Sequence, residues 1–303
     1  MDARITKQRL GNLLSYDWLK IIVSIAIAAL ALSLFFTMVR TTPTSAQSFE
    51  IYGYTDVYTG SKFGGVSEEL ESKNAFSYEI LTVTSEYFRD DSYSANTIFG
   101  ARRAAKEGTV MFVTDVERYD EEGNLKQAST LRSLSGTTLT TETSLGGYYD
   151  TRYFMDSARA YLEGYFGVGF GADSPLDEQK AEESFLKRNS NDKRFRSQKN
   201  RQKGIAQEKE RLRKLKADYL TVSAAFGRCA LKHLVYTHED KDYSPGIGLD
   251  GLNTVTNLVY YKEGDEAAKD HLALMLFYTS YGKQSELTYD TLSFLSYLVT
   301  TYA

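Results

Sequence analysis

The sequence predicts an α/β protein in which an N-terminal transmembrane helix precedes a domain with a mixed, mainly parallel sheet, a long helical middle, and returning C-terminal strands plus a helix. Two observations carry this prediction. Residues 21–38 form an apolar run of 18 residues without charge, Pro or Gly, and a helix of that length spans roughly 27 Å, close to the ~30 Å hydrocarbon core of a bilayer. After it, segments alternate in the order strand, helix, strand, helix, strand, which is typical of a parallel sheet with crossover helices.

Charge around the apolar run predicts its orientation. The segment before it carries Arg4, Lys7, Arg9 and Lys20 against two aspartates, whereas Arg40 after it is followed by uncharged residues. Positive charge beside a first helix tends to stay in the cytoplasm, so we expect a single-pass protein of the cytoplasmic membrane with its C-terminal domain outside. The predicted parts are a cytoplasmic tail over 1–20, a transmembrane helix over 21–39, a tether over 40–47 and an extracellular domain over 48–303.

The alternative to an anchor is a cleaved signal peptide. Thr44, Ser45 and Ala46 resemble a small-residue cleavage site, but the apolar region of 18 residues exceeds the usual ~7–15 of a signal peptide. A single cysteine, Cys229, excludes an intramolecular disulfide, and a domain of this size buries a full core without one. That composition is compatible with a bacterial cell surface.

The first half of the domain supplies the strands of the parallel sheet. Residues 48–59 alternate with a period of two, residues 76–88 are rich in β-branched and aromatic side chains, and residues 109–116 are an almost continuous apolar run. Alternation is typical of a half-buried strand, and a continuous apolar run is typical of a strand buried on both faces. The helices between these strands are predicted over 66–74 and 95–106.

The second half is predicted to be a helical insertion followed by strands. After a weakly patterned stretch over 117–150 and a helix over 151–165, Ser174-Pro175-Leu176-Asp177 has the cap, Pro and acid of a helix start. The helical insertion is expected over about 175–237, with a break near 189–191 and with Cys229 buried on an apolar helix face. The remaining elements are predicted as strands over 252–262 and 271–280 and a helix over 285–300.

The sequence has no motif that indicates catalysis, a metal or a cofactor, so we expect a non-enzymatic protein. His233, His238 and His271 have neither the HExxH spacing nor a cysteine partner at metal-ligand spacing. The glycine-rich segment at 167–173 follows a helix and lacks the Lys-Ser/Thr ending of a phosphate-binding loop, and no GxSxG nucleophile motif occurs.

Residues 187–216 carry the strongest charge feature of the chain. They hold 13 Lys and Arg against three acids, a net charge of +10, in a chain whose net charge is −4. Such a run is either a solvated helical arm or a patch for an anionic partner, which outside a bacterial cell means phospholipid head groups or wall polymers. Nucleic acid is disfavoured because regular aromatic side chains for base stacking are missing. The candidate patch residues are Lys187, Arg188, Lys193, Arg194, Arg196, Lys199, Arg201 and Lys203.

The segments FEIYGYTDVYTG, FSYEILTVTSE and TIFGARRAAKEGTVMFVTD together resemble the opening lobe of bacterial two-lobed extracellular solute-binding proteins. The return to strands after a long helical middle fits that family as well, because its chain re-enters the first lobe. The resemblance implies a ligand-binding cleft at the carboxyl ends of the strands, where open α/β sheets bind ligands. The residues it places there are Tyr58, Thr59, Ser85 and Asp115.

The sequence therefore predicts a membrane-anchored extracellular binding domain, similar to solute-binding proteins and accessory to a transport complex. The alternative is a non-enzymatic structural or assembly subunit of a cell-envelope complex that uses the basic helical arm. The expected partners are the bilayer, a transporter or envelope-complex subunit, and a small-molecule ligand.

Overall fold

The computed structural model describes residues 11, 18–39, 43–60, 63, 65–73, 75–89, 93–105, 107–135, 147–238, 240–278 and 282–303. The chain divides into two compact units, Met1–Thr42 and Pro43–Ala303. The helices are α1 (Trp18–Val39), α2 (Gly65–Ser72), α3 (Tyr93–Ala104), α4 (Thr130–Ser135), α5 (Thr151–Phe166), α6 (Glu178–Arg188), α7 (Gln198–Gly227) and α8 (Thr291–Tyr302). The strands are β1 (Ser48–Tyr54), β2 (Thr82–Phe88), β3 (Val110–Thr114), β4 (Arg118–Tyr119), β5 (Leu125–Gln127), β6 (Lys232–His238), β7 (Lys241–Gly248), β8 (Tyr261–Glu263), β9 (Glu266–Ala268) and β10 (Leu272–Leu276).

The first unit contains the N-terminal apolar helix, α1, which is confirmed. It has 22 residues, and the run of Ala, Leu and Ile that fills it combines strong helix formers with an apolar surface. Over Trp18–Phe36 the helix is long and apolar enough to cross a membrane, and none of the residues in its apolar window is buried. A signal sequence meets the same criterion of length and composition, so the membrane crossing and the orientation stay predictions.

The second unit is built on a six-stranded mixed sheet, which confirms the α/β class. Its order is β2-β1-β3-β10-β7-β6. The pairs β1–β2 and β1–β3 are parallel, as expected for the strand-helix alternation of the first half. The pairs β3–β10, β10–β7 and β7–β6 are antiparallel. The sheet is therefore mixed rather than mainly parallel, because the C-terminal half returns as a hairpin and a single strand.

Helices cover both faces of the sheet, and the hydrophobic core on one face is larger than the core on the other. Side chains alternate between faces along each strand, so Ile51 and Phe112 point to a large core cluster that includes Phe294 of α8. On the other face, Tyr52 and Met111 belong to a smaller cluster. The helices that contribute buried side chains to the large cluster are α2, α5, α6, α7 and α8, whereas α3 and α4 contribute to the small one.

The predicted end of the helical insertion near residue 237 is wrong. Helix α7 ends at Gly227, and residues 232–238 form β6 instead. Cys229 lies in the turn between them with φ of 58°, and it is exposed rather than buried on a helix face. Glycine is a poor helix former that sits readily at helix ends, which accounts for the break at this point.

The predicted strand over 252–262 is also wrong. An inner strand of the sheet, β7, is formed instead by Lys241–Gly248, for which the sequence pattern predicts no strand. Strand β7 contains Pro245, a residue usually kept out of central strands because it has no N–H to donate. Here the register of β6 shifts between Leu234 and Tyr236, opposite that proline. The irregularity leaves Pro245 outside the regular ladder. Residues 252–262 form a 3₁₀ turn and the first strand of the β8–β9 hairpin.

Candidate functional site

The residues that the family resemblance assigns to a cleft do not form one cluster. Ser85 lies within β2 opposite Ile51, on the face of the large core, and its hydroxyl donates to the carbonyl of Phe63 at 2.9 Å. Asp115 follows β3 and shares the parity of Met111 on the other face, where the Tyr236 hydroxyl donates to its carboxylate. The sheet therefore separates Ser85 from Asp115.

Tyr58 and Thr59 lie beyond β1, beside the β8–β9 hairpin. Tyr58 forms an isolated bridge with Tyr260, and their rings stack with centroids 6.0 Å apart. The ammonium of Lys262 lies 5.2 Å from the centroid of the Tyr58 ring. Tyr58 is 39% exposed, so it is a surface aromatic held by a neighbouring turn. Ligand binding by these four residues stays a prediction.

The basic segment, residues 187–216, folds as a helical hairpin against the sheet domain. The predicted break is confirmed, since α6 ends at Arg188 and α7 begins after a 3₁₀ turn. Each element starts at a polar cap whose side chain accepts a backbone N–H: Asp177 for α6, Asp192 for the turn and Ser197 for α7. The expected cap at Ser174 is wrong, because Asp177 rather than Ser174 stands directly before the first helical residue.

Three arginines of this segment are engaged in an internal ion network, and we call Arg188, Arg194 and Arg211 the paired arginines. The guanidinium of Arg188 contacts Glu208 at 2.6 Å and Glu79 at 3.0 Å, and its side chain is 1% exposed. Replacement of Arg188 removes one counter-charge from each of these buried carboxylates, which is strongly destabilising. Arg188 and Arg194 are therefore engaged inside the domain and do not belong to an exposed surface patch.

The other two paired arginines extend the network to the connecting turn and to the middle of α7. Arg194 contacts Glu79 at 2.6 Å and Asp192 at 2.8 Å. Arg211 contacts Asp290 at 2.8 Å and Glu208 at 3.1 Å. The network ties α6, the 3₁₀ turn and α7 to the segment before β2 and to the residues before α8, so it fixes the hairpin on the domain.

Electrostatics keep this network ionised at neutral pH. Burial raises the pKa of Glu79, but the charge of Arg188 and the hydrogen bond from Arg194 more than offset it and lower the pKa to about 2. The same balance of burial against Arg211 and Arg188 lowers the pKa of Glu208. Burial and the negative charge of Glu208 raise the pKa of Tyr78, whose hydroxyl donates to Glu208 at 2.8 Å. These groups therefore stabilise the position of the hairpin on the domain, and they do not exchange protons near neutral pH.

Four further cations of the segment are also occupied. Lys209 and Arg213 both contact Glu178 at 2.8 Å. Lys214 contacts Asp218 at 2.7 Å, and the ammonium of Lys216 donates to two backbone carbonyls, the nearer at 2.6 Å. Together with the three paired arginines, seven of the 13 cations are therefore satisfied within the domain.

The remaining six cations are exposed and carry no ion pair within the described part of the chain. They lie on the last turn of α6, on the connecting turn and on the first two turns of α7, so they share one end of the hairpin. This grouping retains most of the patch that the sequence predicts. We call the following residues the exposed cations: Lys187, Lys193, Arg196, Lys199, Arg201 and Lys203.

Two recesses open beside the exposed cations. One, of about 480 Å³, lies between α7 and the segment before β2, with Tyr78, Lys203 and Arg211 among its walls. The other, of about 470 Å³, lies at the turn between α6 and α7 and is lined by Asn189 to Asp192, by Phe185 and Phe195, and by Arg196 and Arg201. We call the second one the hairpin recess. Both volumes are in the range of small-molecule sites.

Sequence reasoning missed the acidic half of the network. Glu79, Glu286 and Asp290 lie about 80 to 110 residues from their arginine partners, and no local pattern marks them.

Within the described residues no group of three or more His, Cys, Asp or Glu side chains is arranged to hold a metal ion. Comparison with protein-family models, curated proteins and solved structures finds no match for this chain. The fold and the geometry of the basic segment therefore carry the functional argument.

Proposed function

We propose that residues 43–303 form a non-enzymatic binding domain that the helix α1 holds at the outer face of a bacterial cytoplasmic membrane, and that the domain binds an anionic partner through the exposed cations. One observation carries this proposal. Within a single segment, seven cations are satisfied internally and six are left together at the surface without an ion pair to any residue that the structure describes. A group of unpaired like charges attracts oppositely charged partners and raises their rate of association.

The paired arginines support this function indirectly. They fix the hairpin to two distant parts of the domain through contacts of 2.6 to 3.1 Å. A charged surface on a rigid support loses less conformational entropy on binding than one on a mobile arm. We therefore interpret the hairpin as a fixed platform for an anionic partner of the cell envelope.

Solute binding in support of a transport complex is the second candidate. It is favoured by the position of β10, a late strand that enters the sheet beside β3, since chain re-entry is what the resemblance to solute-binding proteins implies. It ranks second because Ser85 and Asp115, two of its four candidate ligand residues, lie on opposite faces of the sheet.

The binding proposal is tested with the full chain in neutral detergent micelles and a fluorescent polyphosphate chain as the anionic probe. We expect binding that weakens as salt is added, because exposed charges are screened. The triple variant Lys187→Gln, Lys193→Gln, Lys199→Gln should bind at least about tenfold more weakly. The matched control is Lys73→Gln, Lys126→Gln, Lys241→Gln, which removes the same charge from exposed positions elsewhere and should bind like the parent. Equal binding by both triple variants would contradict the proposal.

The location is tested through the single cysteine. Cys229 is exposed on the domain, so a membrane-impermeant maleimide added to intact cells should label it if the domain lies outside. A variant with Cys229→Ser and Ser15→Cys, which moves the thiol to the predicted cytoplasmic tail, should be labelled only after the cells are lysed. The reverse labelling pattern would contradict the proposed orientation.

A further inference from the structure

The start of the sheet domain is held in place only a few residues after the end of α1. The hydroxyl of Thr44 donates to Oε1 of Gln284 at 2.8 Å, and the N–H of Thr44 donates to Oε1 of Gln47 at 3.2 Å. Gln47 is buried, and its carbonyl accepts the N–H of Leu81 at 2.8 Å. We call residues 44–47 the chain entry, because from Thr44 onward the chain is bonded to the rest of the domain.

The connection between α6 and α7 packs against the chain entry through one buried carboxylate. The side-chain nitrogen of Gln47 donates to Oε2 of Glu79 at 3.5 Å. The same carboxylate accepts hydrogen bonds from Arg194 at 2.6 Å and from Asn189 at 3.4 Å. Asn189 and Arg194 both belong to the connection between the two helices. This end of the helical hairpin is therefore next to the point where the chain enters the domain.

The same end of the hairpin carries the exposed cations and an exposed leucine, with a second leucine at the chain entry. Lys193 and Arg196 flank Arg194 in the connection, and the other exposed cations lie on the last turn of α6 and the first two turns of α7. Leu186 lines the hairpin recess, Leu81 is bonded to the chain entry, and both are exposed. Protein surfaces that rest on lipid head groups combine Lys and Arg with exposed apolar side chains. This end of the domain has both components of such a surface.

The chain between α1 and the chain entry is short. Thr44 is five residues after Val39, the last residue of α1, and that stretch covers roughly 18 Å at most when fully extended. The head-group region on each side of a bilayer is itself about 5–7 Å thick. With α1 across the bilayer, as in the proposed function, this reach keeps the chain entry near the head groups. The exposed cations beside the chain entry are then near the head groups as well.

We propose that the exposed cations bind the phosphate groups of anionic phospholipids in the membrane that holds α1. This inference rests on the proposed function and adds the partner, which is the lipid surface itself. Lys attracts a lipid phosphate as a point charge, and the planar fork of Arg binds two phosphate oxygens at once. Each Lys or Arg near an anionic membrane surface strengthens association by about fivefold. The exposed cations together therefore favour one orientation of the domain, with the connection between α6 and α7 on the bilayer.

The far end of α7 provides a reference for this orientation. Helix α7 has 30 residues, so its two ends are roughly 45 Å apart. Its first turns carry exposed cations, whereas Cys229 lies just past its last residue and is exposed. A label on Cys229 therefore reports on a part of the domain well away from the proposed lipid contact. Ser190, which is exposed in the connection between α6 and α7, is the matching position at the contact.

The test uses the full chain in lipid nanodiscs of phosphatidylcholine alone or of an equal mixture with phosphatidylglycerol. Both contain a lipid with a nitroxide on its head group, which quenches nearby fluorophores. The fluorophore is attached either to native Cys229 or to the new thiol of the variant Cys229→Ser, Ser190→Cys. We expect at least about twofold greater quenching at position 190 in the mixed discs than in the neutral ones, since phosphatidylglycerol supplies the negative charge. Added salt should reduce that difference.

Quenching at Cys229 should stay low in both kinds of nanodisc. Equal quenching at position 190 in the two lipid compositions would overturn the proposed contact with anionic phospholipids. Stronger quenching at Cys229 than at position 190 would overturn the proposed orientation of the domain.

Charge variants assign the effect to the exposed cations. With the fluorophore at position 190, quenching in the mixed discs should fall to the level of the neutral discs in the triple variant Lys187→Gln, Lys193→Gln, Lys199→Gln. The matched control removes the same charge from exposed positions outside residues 187–216 and should leave quenching unchanged; it is Lys126→Gln, Arg228→Gln, Lys262→Gln. An equal fall in both triple variants would overturn the role of the exposed cations.

The polyphosphate experiment separates this proposal from the proposed function. Polyphosphate binding that depends on the exposed cations, without any difference between the two kinds of nanodisc, would overturn the lipid contact and leave the anionic platform in place. A soluble envelope polymer would then be the partner. Absence of both polyphosphate binding and a difference between the nanodiscs would overturn the two proposals together. A difference between the nanodiscs that the lysine variant removes supports the lipid surface as the partner.

Discussion

The paired arginines and the exposed cations belong to one stretch of 30 residues, yet the fold uses them in opposite ways. Arg188 and its neighbour Lys187 are adjacent in the chain, but the first is 1% exposed and contacts three carboxylates, whereas the second faces solvent. A run of positive charge is therefore not by itself a surface patch. Which cations are available to a partner depends on acids that other segments bring to them.

Desolvation explains why the two sets cannot exchange roles. A buried charge is tolerated only where its partners and hydrogen bonds replace water, and Glu79, Glu208 and Glu286 supply them for Arg188. An exposed Lys stays hydrated and needs no partner. We therefore expect the paired arginines to determine stability and the exposed cations to determine binding.

The largest expected effect is that of Arg188→Met on stability. Loss of this guanidinium leaves buried Glu79 with Arg194 as its one remaining ion-pair partner among the described residues and buried Glu208 with Arg211, so the free energy of unfolding should fall by about 3–5 kcal/mol. The matched control is Lys187→Met, which removes the same charge one residue earlier and should leave the unfolding midpoint nearly unchanged. Denaturant unfolding of the two variants gives the comparison directly, and equal losses would contradict the distinction between the two sets.

Acid should destabilise the domain through the same network. The pKa of Glu79 is lowered from 4.5 to about 2 in the folded state, so its contribution is fully present above pH ~4.5 and is lost as the pH falls toward 2. The expected loss from this group is about 2–3 kcal/mol. Chemical denaturation at a series of pH values measures it.

The control for the pH dependence is Glu79→Gln, which cannot titrate. This variant should be less stable at neutral pH, but its stability should fall less steeply than that of the parent between pH ~4.5 and 2. An identical slope in the two proteins would show that other carboxylates account for the acid sensitivity.

A pair of glycines tests how closely the hairpin is packed. A Cβ at Gly204 in α7 would lie 2.4 Å from the ring of Phe185 and 2.7 Å from that of Phe195, so Gly204→Ala should cost about 1–3 kcal/mol through overpacking. At Gly164 in α5 the nearest atom is the end of a lysine side chain at 3.6 Å. Gly164→Ala should therefore stabilise by up to about 1 kcal/mol, the usual difference in helix propensity.

Thermal unfolding of the two alanine variants measures both the expected loss of stability for Gly204→Ala and the expected gain for Gly164→Ala. Stabilisation by Gly204→Ala would show that the rings of Phe185 and Phe195 move aside easily and that the hairpin is not a fixed platform.

Much of the fold follows from local patterns in the sequence. The apolar run of α1, the strand-helix alternation through β3 and the helix break near residue 190 are all visible as periodicity or as breaks in it. The errors occur where tertiary contacts override such patterns. Strand β7 contains a proline that is accommodated only because β6 shifts its register opposite it, and no single-segment pattern reports that pairing.

The candidate site could be predicted only in part, for a related reason. Charge counting finds the basic segment, because like charges cluster along the chain. It does not separate Arg188 from Lys187, since the deciding partners Glu79 and Glu286 are 109 and 98 residues away in sequence. Asn189 donates to Glu79 from 110 residues away in sequence, and no local pattern marks that contact either.

The smallest expected effect on stability is that of the triple variant Lys187→Gln, Lys193→Gln, Lys199→Gln. These side chains have no ion pairs within the described residues, and Lys199 stands one helical turn from Lys203 in α7, a spacing at which like charges repel. Neutralisation should therefore leave the unfolding midpoint unchanged or raise it slightly, while polyphosphate binding falls. A clear loss of stability would mean that these lysines have structural partners, and the separation of one basic segment into a stabilising set and a binding set would fail.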